Sequence, residues 1–285
     1  MSKLKIAIQK SGRLNEGSLK LLKDCGIIID NGKGQLKAPA RNFPLEILFL
    51  RSSDIPQYVE DGVADIAIIG ENVLIEKPQK VKIVQRLGFS RCRMSLAAPK
   101  DIDYTGTEFF QGKKIATSYP FTLQSYLGKK GVRAEIHEIS GSVEIAPNVG
   151  LADGICDIVS SGSTLFKNGL KEVETILKSE AVLVQSLKIT PEINAILEKL
   201  LFRVRAVLEA KNTKYILMNV PNDKIEEVSK FLPVLKSPTI LPLEQKGWSS
   251  LHTVIKEETF WEVIDRLKTA GAEGILVIPI EKVVL

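Results

Sequence analysis

The sequence predicts an α/β protein, with two α/β lobes facing a cleft and a smaller βαββαβ module after them. Three observations predict it. Short apolar runs alternate with amphipathic stretches from Leu4 onward, the pattern of sheets covered by helices. Some runs, such as ADIAIIG at 64–70, are apolar without alternation, as strands covered on both faces require. Residues 212–285 follow their own strand–helix–strand–strand–helix–strand order.

Leu4–Ile8 reads as the first strand, and a helix follows from about Asn15 to Cys25 with Leu19, Leu21 and Leu22 inward and Gly26 placed to end it. Leu45–Leu50 is a strand. Asp54 then caps a short helix whose Pro56 suits the first turn and whose stop is Gly62. Ala64–Gly70 and Val81–Leu87 are strands, and Arg91–Pro99 carries the chain into a second lobe. That lobe holds strands at Lys113–Ser118, Ala134–Ile139 and Ile155–Ser160, with a helix starting near Tyr119–Pro120. Val182–Ser186 returns to the first lobe, and Thr190 caps a long helix to about Ala210 with Pro191 in its first turn. Two lobes joined by crossing strands describe a type II periplasmic-binding-protein architecture. The expected division is 1–90 with 180–211, then 91–179, then 212–285.

The final module reads as strand Lys214–Val220, helix Asp223–Phe231, strands Thr239–Leu243 and Ser249–Ile255, helix Glu258–Ala270 and strand Gly274–Ile280. This is the ferredoxin-like split unit.

Composition narrows the function. The 285 residues are 44% hydrophobic and 26% charged, ordinary for a globular chain of about two domains. No apolar run approaches the roughly 18 residues of a membrane span. The apolar stretch before Gln9 and Lys10 is too short for a signal peptide, so a membrane association is not expected. Cys25, Cys92 and Cys156 lack CxxC spacing and sit among apolar neighbours, which points to reduced thiols and a cytoplasmic protein. His137 and His252, the only histidines, are far apart, leaving little material for a zinc site or a Ser–His–Asp triad. Residues 1–211 carry 30 Lys+Arg against 24 Asp+Glu, and residues 212–285 carry 9 against 10. The first part can therefore receive anions. With no Lys/Arg run longer than two and no interleaved aromatics, nucleic acid is not the expected partner.

The most informative stretch is ADGICDIVSSGSTL, 152–165. A buried strand ends in Ser160, Ser161, Gly162, Ser163 and Thr164 ahead of a helix, so backbone N–H groups and hydroxyls can gather round a phosphate monoester. Asp157, just before the loop, can accept from ribose hydroxyls. An ordinary polar turn with a Ser/Thr cap is the competing reading. IATSYP at 115–120 and ISGSVEIAP at 139–147 are similar junctions, and GSVE reads as a capping box from Gly141 to Glu144. In open α/β sheets ligands sit beyond the carboxyl ends of strands. The first lobe supplies Lys10 and Arg13 after its first strand, Arg51 after its second, and Gly70, Glu71 and Asn72 after its third.

QKSGRL, DIP, GVADIAIIGENVL, CRMSLAAP, GKKIATSYP, GSVEIAPNVGLADGICDIVSSGSTL and SPTILPL together resemble the ATP phosphoribosyltransferase family, which opens histidine biosynthesis. The match is collinear from near residue 4 to near 282. The third module resembles the long, self-sufficient form, so no separate regulatory subunit is expected.

The resemblance implies transfer of the phosphoribosyl group of 5-phosphoribosyl 1-pyrophosphate (PRPP) to N1 of ATP, with Mg²⁺ held through the pyrophosphate. It implies a PRPP site at Asp153, Asp157, Ser160, Ser161, Gly162, Ser163, Thr164 and Leu165. Arg13, Arg51, Gly70, Glu71, Asn72, Ser118, Tyr119 and Pro120 would meet ATP. The catalytic set would be Lys10, Arg13, Glu144 and Asp157. The last module resembles an ACT-like domain that binds histidine as inhibitor, with Asn219, Leu235, Ser237, Thr239, Val254 and Gly274 matching; Asn219 stands where some relatives carry an acid. AMP as a second inhibitor and assembly from dimer to hexamer are further expectations. A non-enzymatic solute-binding protein and a phosphoribosyltransferase with another acceptor are the rival readings, the two-lobed architecture serving several purposes.

Overall fold

The computed structural model describes residues 2–30, 35–232 and 237–284. The first lobe is built from β1 (Leu4–Gln9), α1 (Arg13–Asp24), β2 (Lys37–Pro39), β3 (Leu45–Leu50), α2 (Ile55–Glu60), β4 (Ile66–Gly70), α3 (Glu71–Glu76) and β5 (Val81–Arg86). The second holds β6 (Cys92–Pro99), β7 (Lys114–Thr117), α4 (Pro120–Lys130), β8 (Glu135–Glu138), β9 (Gly154–Val159), α5 (Ser163–Lys167) and β10 (Leu170–Ser179). β11 (Ala181–Ser186) then rejoins the first sheet, and α6 (Pro191–Lys211) follows.

The first sheet has the order β2-β3-β1-β4-β11-β5 and the second β10-β6-β9-β7-β8. β3, β1 and β4 run parallel, as do β8, β7 and β9. Leu4, Ile6, Ala7 and Ile8 are wholly buried because β1 lies inside its sheet with cover on both faces. The two crossings between lobes lie side by side: Leu87 N–H donates to the Ala181 carbonyl and Ala181 N–H to the Phe89 carbonyl, both at 3.0 Å. A cleft between two open sheets follows from this wiring, with the carboxyl ends of the parallel strands at its walls.

The chain divides into compact units 1–198 and 199–285, a division that falls within α6. Within the second unit the Val283 N–H, near the chain's end, donates to Ala206 of that helix (3.0 Å). This unit contains β12 (Thr213–Pro221), α7 (Ile225–Phe231), β13 (Thr239–Pro242), β14 (Trp248–Lys256), α8 (Glu257–Thr269) and β15 (Glu273–Pro279). Its antiparallel order β13-β14-β12-β15 is that of the ferredoxin-like unit. Ile216, Met218, Val220, Leu251 and Ile255 bury one face against Val228, Phe260, Val263 and Leu267 of the helices.

Two caps differ from expectation. Asp54 occupies the N-cap position of α2 with no side-chain bond to the helix, and its carboxylate accepts from Ser53 Oγ at 2.8 Å. Glu144 lies in a 3-10 turn, Val143–Ile145, with no side-chain cap, so no capping box forms. Two strands and a helix were not legible at all: β2, β10 and α3. β10 is an edge strand with register shifts between Glu172 and Glu174 and between Thr175 and Leu177, which break the alternation that a sequence reading depends on. No helix among the described residues is long and apolar enough to cross a membrane.

Candidate active site

The first lobe brings its cations to one end of its sheet. Gln9 and Leu50 are partners across the β1–β3 pair, so Lys10 and Arg51 leave adjacent strands side by side. Arg13 opens α1 one turn later. All three are exposed, and among the described residues Lys10 and Arg51 enter no side-chain hydrogen bond or ion pair. Glu71 begins α3 directly after β4, its carboxylate held by Arg86 at 2.5 and 2.7 Å. Gly70 is a matter of space: an added Cβ would come within 2.5 Å of Asn72 Oδ1. Asn72 is buried and exchanges hydrogen bonds with Ser179, so its side chain is held between the lobes.

The second lobe presents its hydroxyl loop at the carboxyl end of β9. Gly162, at φ +78°, permits the left-handed bend that turns Ser160–Ser163 back over the strand. Ser161 and Ser163 hydroxyls lie 3.0 Å apart at the surface. Beneath them a small cavity of about 60 Å³ is lined by Glu144, Asp157, Ser160, Ser161, Gly162 and Thr164. Leu165 is buried at its floor. Burial pushes the Asp157 carboxyl up to about 6, the Ile158 N–H lowers it by a hydrogen bond, and the Glu144 charge adds to the rise. Two carboxylates facing one small cavity are acceptors suited to hydroxyls, and hard oxygen donors suited to a magnesium ion. No three His, Cys, Asp or Glu side chains converge as a metal cage among the described residues.

Asp153 is a correction. It lies at the amino end of β9, the opposite end from the loop, where its carboxylate accepts from the Lys114 N–H at 2.8 Å. Six strand residues put it roughly 20 Å from the hydroxyls. Ser118 follows the carboxyl end of β7, and its hydroxyl donates to the Ile139 carbonyl at 2.5 Å. Tyr119 is partly buried beside it, its phenol pushed up by burial and by the charge of Asp157. Pro120 starts α4.

The lobes meet at the loop. Arg13 Nη1 donates to Ser160 Oγ across the cleft at 3.2 Å. From below, Arg93 donates to the Ser160 carbonyl at 3.1 Å while gripping Glu172 with two further bonds of 2.5 Å. That grip, helped by the Ser95 hydroxyl, holds the Glu172 carboxyl down at about 2. A cavity of about 450 Å³ opens alongside, lined by Glu71, Arg86, Arg91, Arg93, Lys178 and Ser160. Arg86, Arg91, Arg93, Lys178 and Glu172 were missed by the sequence reading. The signal available was the RCR run at 91–93, which was read only as a strand.

In the C-terminal unit Asn219 and Gly274 are neighbours: a Cβ at Gly274 would lie 3.4 Å from Asn219 Nδ2. Thr239 pairs with His252 and Val254 with Tyr215. Val254 is four residues along β14 from Ser250, the partner of Asn219, so roughly 13 Å separates it from Asn219. Ser237 is exposed ahead of β13. Leu235 lies outside the described residues.

Comparison with known proteins agrees with this architecture. The family model described as ATP phosphoribosyltransferase matches residues 51–206, and that of its C-terminal domain matches 210–282. An ATP phosphoribosyltransferase of Cytophaga hutchinsonii is 59% identical over 281 residues, covering 99% of this chain and 98% of that protein. One of Bacteroides thetaiotaomicron is 56% identical, covering 99% and 100%. A solved ATP phosphoribosyl transferase (HisG:HisZ) complex from Thermotoga maritima matches at TM-score 0.63 and 30% identity, over 73% of this chain and 98% of that one. A putative periplasmic sulfonate-binding protein of Methylobacillus flagellatus, at TM-score 0.50 and 15% identity over 72% and 67%, shares the two-lobed fold. With its own C-terminal domain present, the chain belongs to the ATP phosphoribosyltransferase family in its long form, a phosphoribosyl-transferring enzyme of the first step of histidine biosynthesis.

Proposed function

We propose that the chain joins C1 of PRPP to N1 of the adenine of ATP, giving N1-(5-phosphoribosyl)-ATP and pyrophosphate. One observation carries the reading: the contact of Arg13 on Ser160 puts a cation of one lobe on the hydroxyl loop of the other. A ligand with phosphate at one end and pyrophosphate at the other meets both.

On this reading Ser161, Gly162, Ser163 and Thr164 receive the 5-phosphate, flanked by Ser160 and Leu165. Asp157 and Glu144 accept hydrogen bonds from the ribose hydroxyls. Lys10, Arg13 and Arg51 neutralise pyrophosphate and the nucleotide phosphates. Gly70, Glu71 and Asn72 on one side, and Ser118, Tyr119 and Pro120 on the other, wall the nucleotide. The C1–O bond to pyrophosphate breaks as the C1–N1 bond forms, with positive charge on the sugar between. Charge neutralisation at the leaving group and alignment of the nitrogen are therefore the chief demands. N1 of adenine carries no proton, so no general base is assigned. Magnesium, carried on the pyrophosphate and met by the Asp157 and Glu144 carboxylates and water, would supply further positive charge to the leaving group.

The same reading takes histidine as a feedback inhibitor at the C-terminal module around Asn219 and Gly274, and AMP as a competitor at the nucleotide walls. It takes the enzyme as a cytoplasmic homo-oligomer, dimer to hexamer, that needs no separate regulatory subunit because it carries its own module.

The test is pyrophosphate release from PRPP with ATP, GTP or free adenine, with and without Mg²⁺. ATP-dependent release that requires the metal is expected. Equal rates with GTP or adenine would replace the acceptor, and no heat on titrating PRPP into the protein would remove the reading altogether.

A further inference from the structure

Helix α4 begins beside the Ser118–Pro120 segment without a cap of its own. The donors of its first turn can be accounted for one by one. Pro120 has no N–H. The Leu123 N–H is bonded to the Tyr119 carbonyl at 3.1 Å, and the Tyr119 side chain makes no capping bond. That leaves Phe121 and Thr122. Both donate to one carboxylate of the other lobe: Phe121 N–H to Glu76 Oε1 and Thr122 N–H to Glu76 Oε2, each at 2.9 Å. The Thr122 hydroxyl adds a third bond, to Glu76 Oε2 at 2.7 Å.

Glu76 is the last residue of α3, and that helix is built as a strut. Val73 and Leu74 pack into the core of the first lobe. Asn72 and Glu76, four apart and so on one helix face, both reach the second lobe. Asn72 exchanges bonds with Ser179 at the end of β10, and Glu76 accepts from the start of α4. The carboxylate also acts on Tyr119 through its charge, so its influence reaches the residue just ahead of α4.

We propose that Glu76 is a positioning residue: it supplies from the first lobe the cap that α4 lacks, so that the order of the Ser118–Pro120 nucleotide wall depends on the two lobes being closed on each other. This rests on the reading of that wall as the ATP side of the cleft. Opening the lobes withdraws the carboxylate and leaves two N–H groups of α4 without a protein partner. Closing them sets the wall. The sequence hides this device, because a Glu ending one short helix carries no local sign of capping another helix 45 residues on.

Glu76→Ala and Glu76→Gln in the full chain test it by two measurements. In hydrogen exchange without substrates, amides of the 120–127 segment should exchange roughly five- to tenfold faster in Glu76→Ala, about the worth of one cap, with Glu76→Gln between it and the unmodified chain. In steady-state kinetics KM for ATP should rise by about the same factor while KM for PRPP stays within roughly twofold, and Glu76→Gln, whose single amide oxygen can accept from only one of the two N–H groups, should recover part of the loss. Unchanged exchange overturns the proposal. Faster exchange with both KM values and kcat moving together also overturns it, because the cap would then only stabilise the fold. Should the unmodified chain fail to join PRPP to ATP, the catalytic reading falls while the exchange comparison still decides whether Glu76 caps α4.

Discussion

At the interlobe cleft, Lys10 and Arg51 stand exposed beside each other and Arg13, among the described residues, touches a serine hydroxyl, whereas on the open sheet face of the C-terminal unit Tyr215, Ser250 and His252 are tied to one another. His252 there has both ring nitrogens engaged, Nδ1 with the Tyr215 hydroxyl at 2.7 Å and Nε2 with Ser250 at 2.9 Å. Leu276 and Ile278 continue that face at about half exposure. Cations held apart from carboxylates are ready for an anionic ligand and gain from one at once. A polar group that is already satisfied gains little from a new ligand unless that ligand replaces the existing bond. The comparison separates a cleft edge arranged for charge from a sheet face on which a histidine, a tyrosine and a serine already bond one another.

The sharpest way to break the comparison is Arg13→Ala. If the cleft works by unpaired charge, kcat/KM for PRPP should fall by on the order of 100-fold, the cost of removing one preorganised donor. Because Arg13 is exposed, its removal should move Tm little. Unaltered kinetics would show that the cations at the strand ends are merely solvated.

Acid offers the second test, about tenfold in size. Asp157 has its folded pKa raised to about 6 by burial, above the unfolded value near 4. The native state therefore holds the extra proton between those values, so stability contributed by the protonated form is present below about pH 4 and is lost as pH rises to about 6. Activity should run the other way. Protonation removes an acceptor for ribose hydroxyls, so kcat/KM for PRPP should drop roughly tenfold from pH 7 to pH 5, about one unit below that pKa. At saturating PRPP, kcat should stay nearly flat, since no base is needed. Asp157→Asn should flatten the limb, and a limb of equal depth in kcat would point to an essential base instead.

How far all this was legible turns on range. The buried parallel strands announce themselves, because β4 is apolar throughout and β1 nearly so, as strands covered on both faces require. The SSGST loop was equally plain, a Gly with positive φ among hydroxyls after a strand. Arg93 was not, since its carboxylate partner Glu172 is 79 residues away on an edge strand whose bulges blur its pattern. Asp153 was misplaced for a related reason: resemblance delivered it as part of one segment, and only the strand's length separates its two ends. Local pattern gives faces and ends. Which ends meet is decided by pairing across the fold.

Arg93 gives the third prediction. Arg93→Ala frees Glu172 and the Ser160 carbonyl, but the pair is partly exposed and solvent screens it. A loss of about 1 kcal/mol, or roughly 2–4 °C in Tm for a domain of this size, is expected. The accompanying fall in kcat/KM for PRPP should be smaller than that of Arg13→Ala, since Arg93 supports the loop and Arg13 faces the ligand. A reversed order of the two would place the ligand in the arginine-lined cavity beside the loop.

The smallest effect belongs to the C-terminal face. Asn219 sits against Gly274, where a Cβ would crowd its amide at 3.4 Å. An amide accepts less strongly from a ligand ammonium than a carboxylate does, charge-assisted bonds being roughly twice as strong as neutral ones. Asn219→Asp should therefore tighten histidine binding by a factor of about three to ten while leaving turnover without histidine unchanged, read by calorimetry and by inhibition at fixed PRPP and ATP. Inhibition further requires histidine to bind two conformers unequally, so its affinity should differ with and without substrates by the same factor that histidine imposes on theirs. Tighter binding with equal affinity in both conditions would make the module a histidine-binding domain uncoupled from the cleft. The contrast between the two faces would then be one of ligand chemistry alone, with no regulatory connection between them.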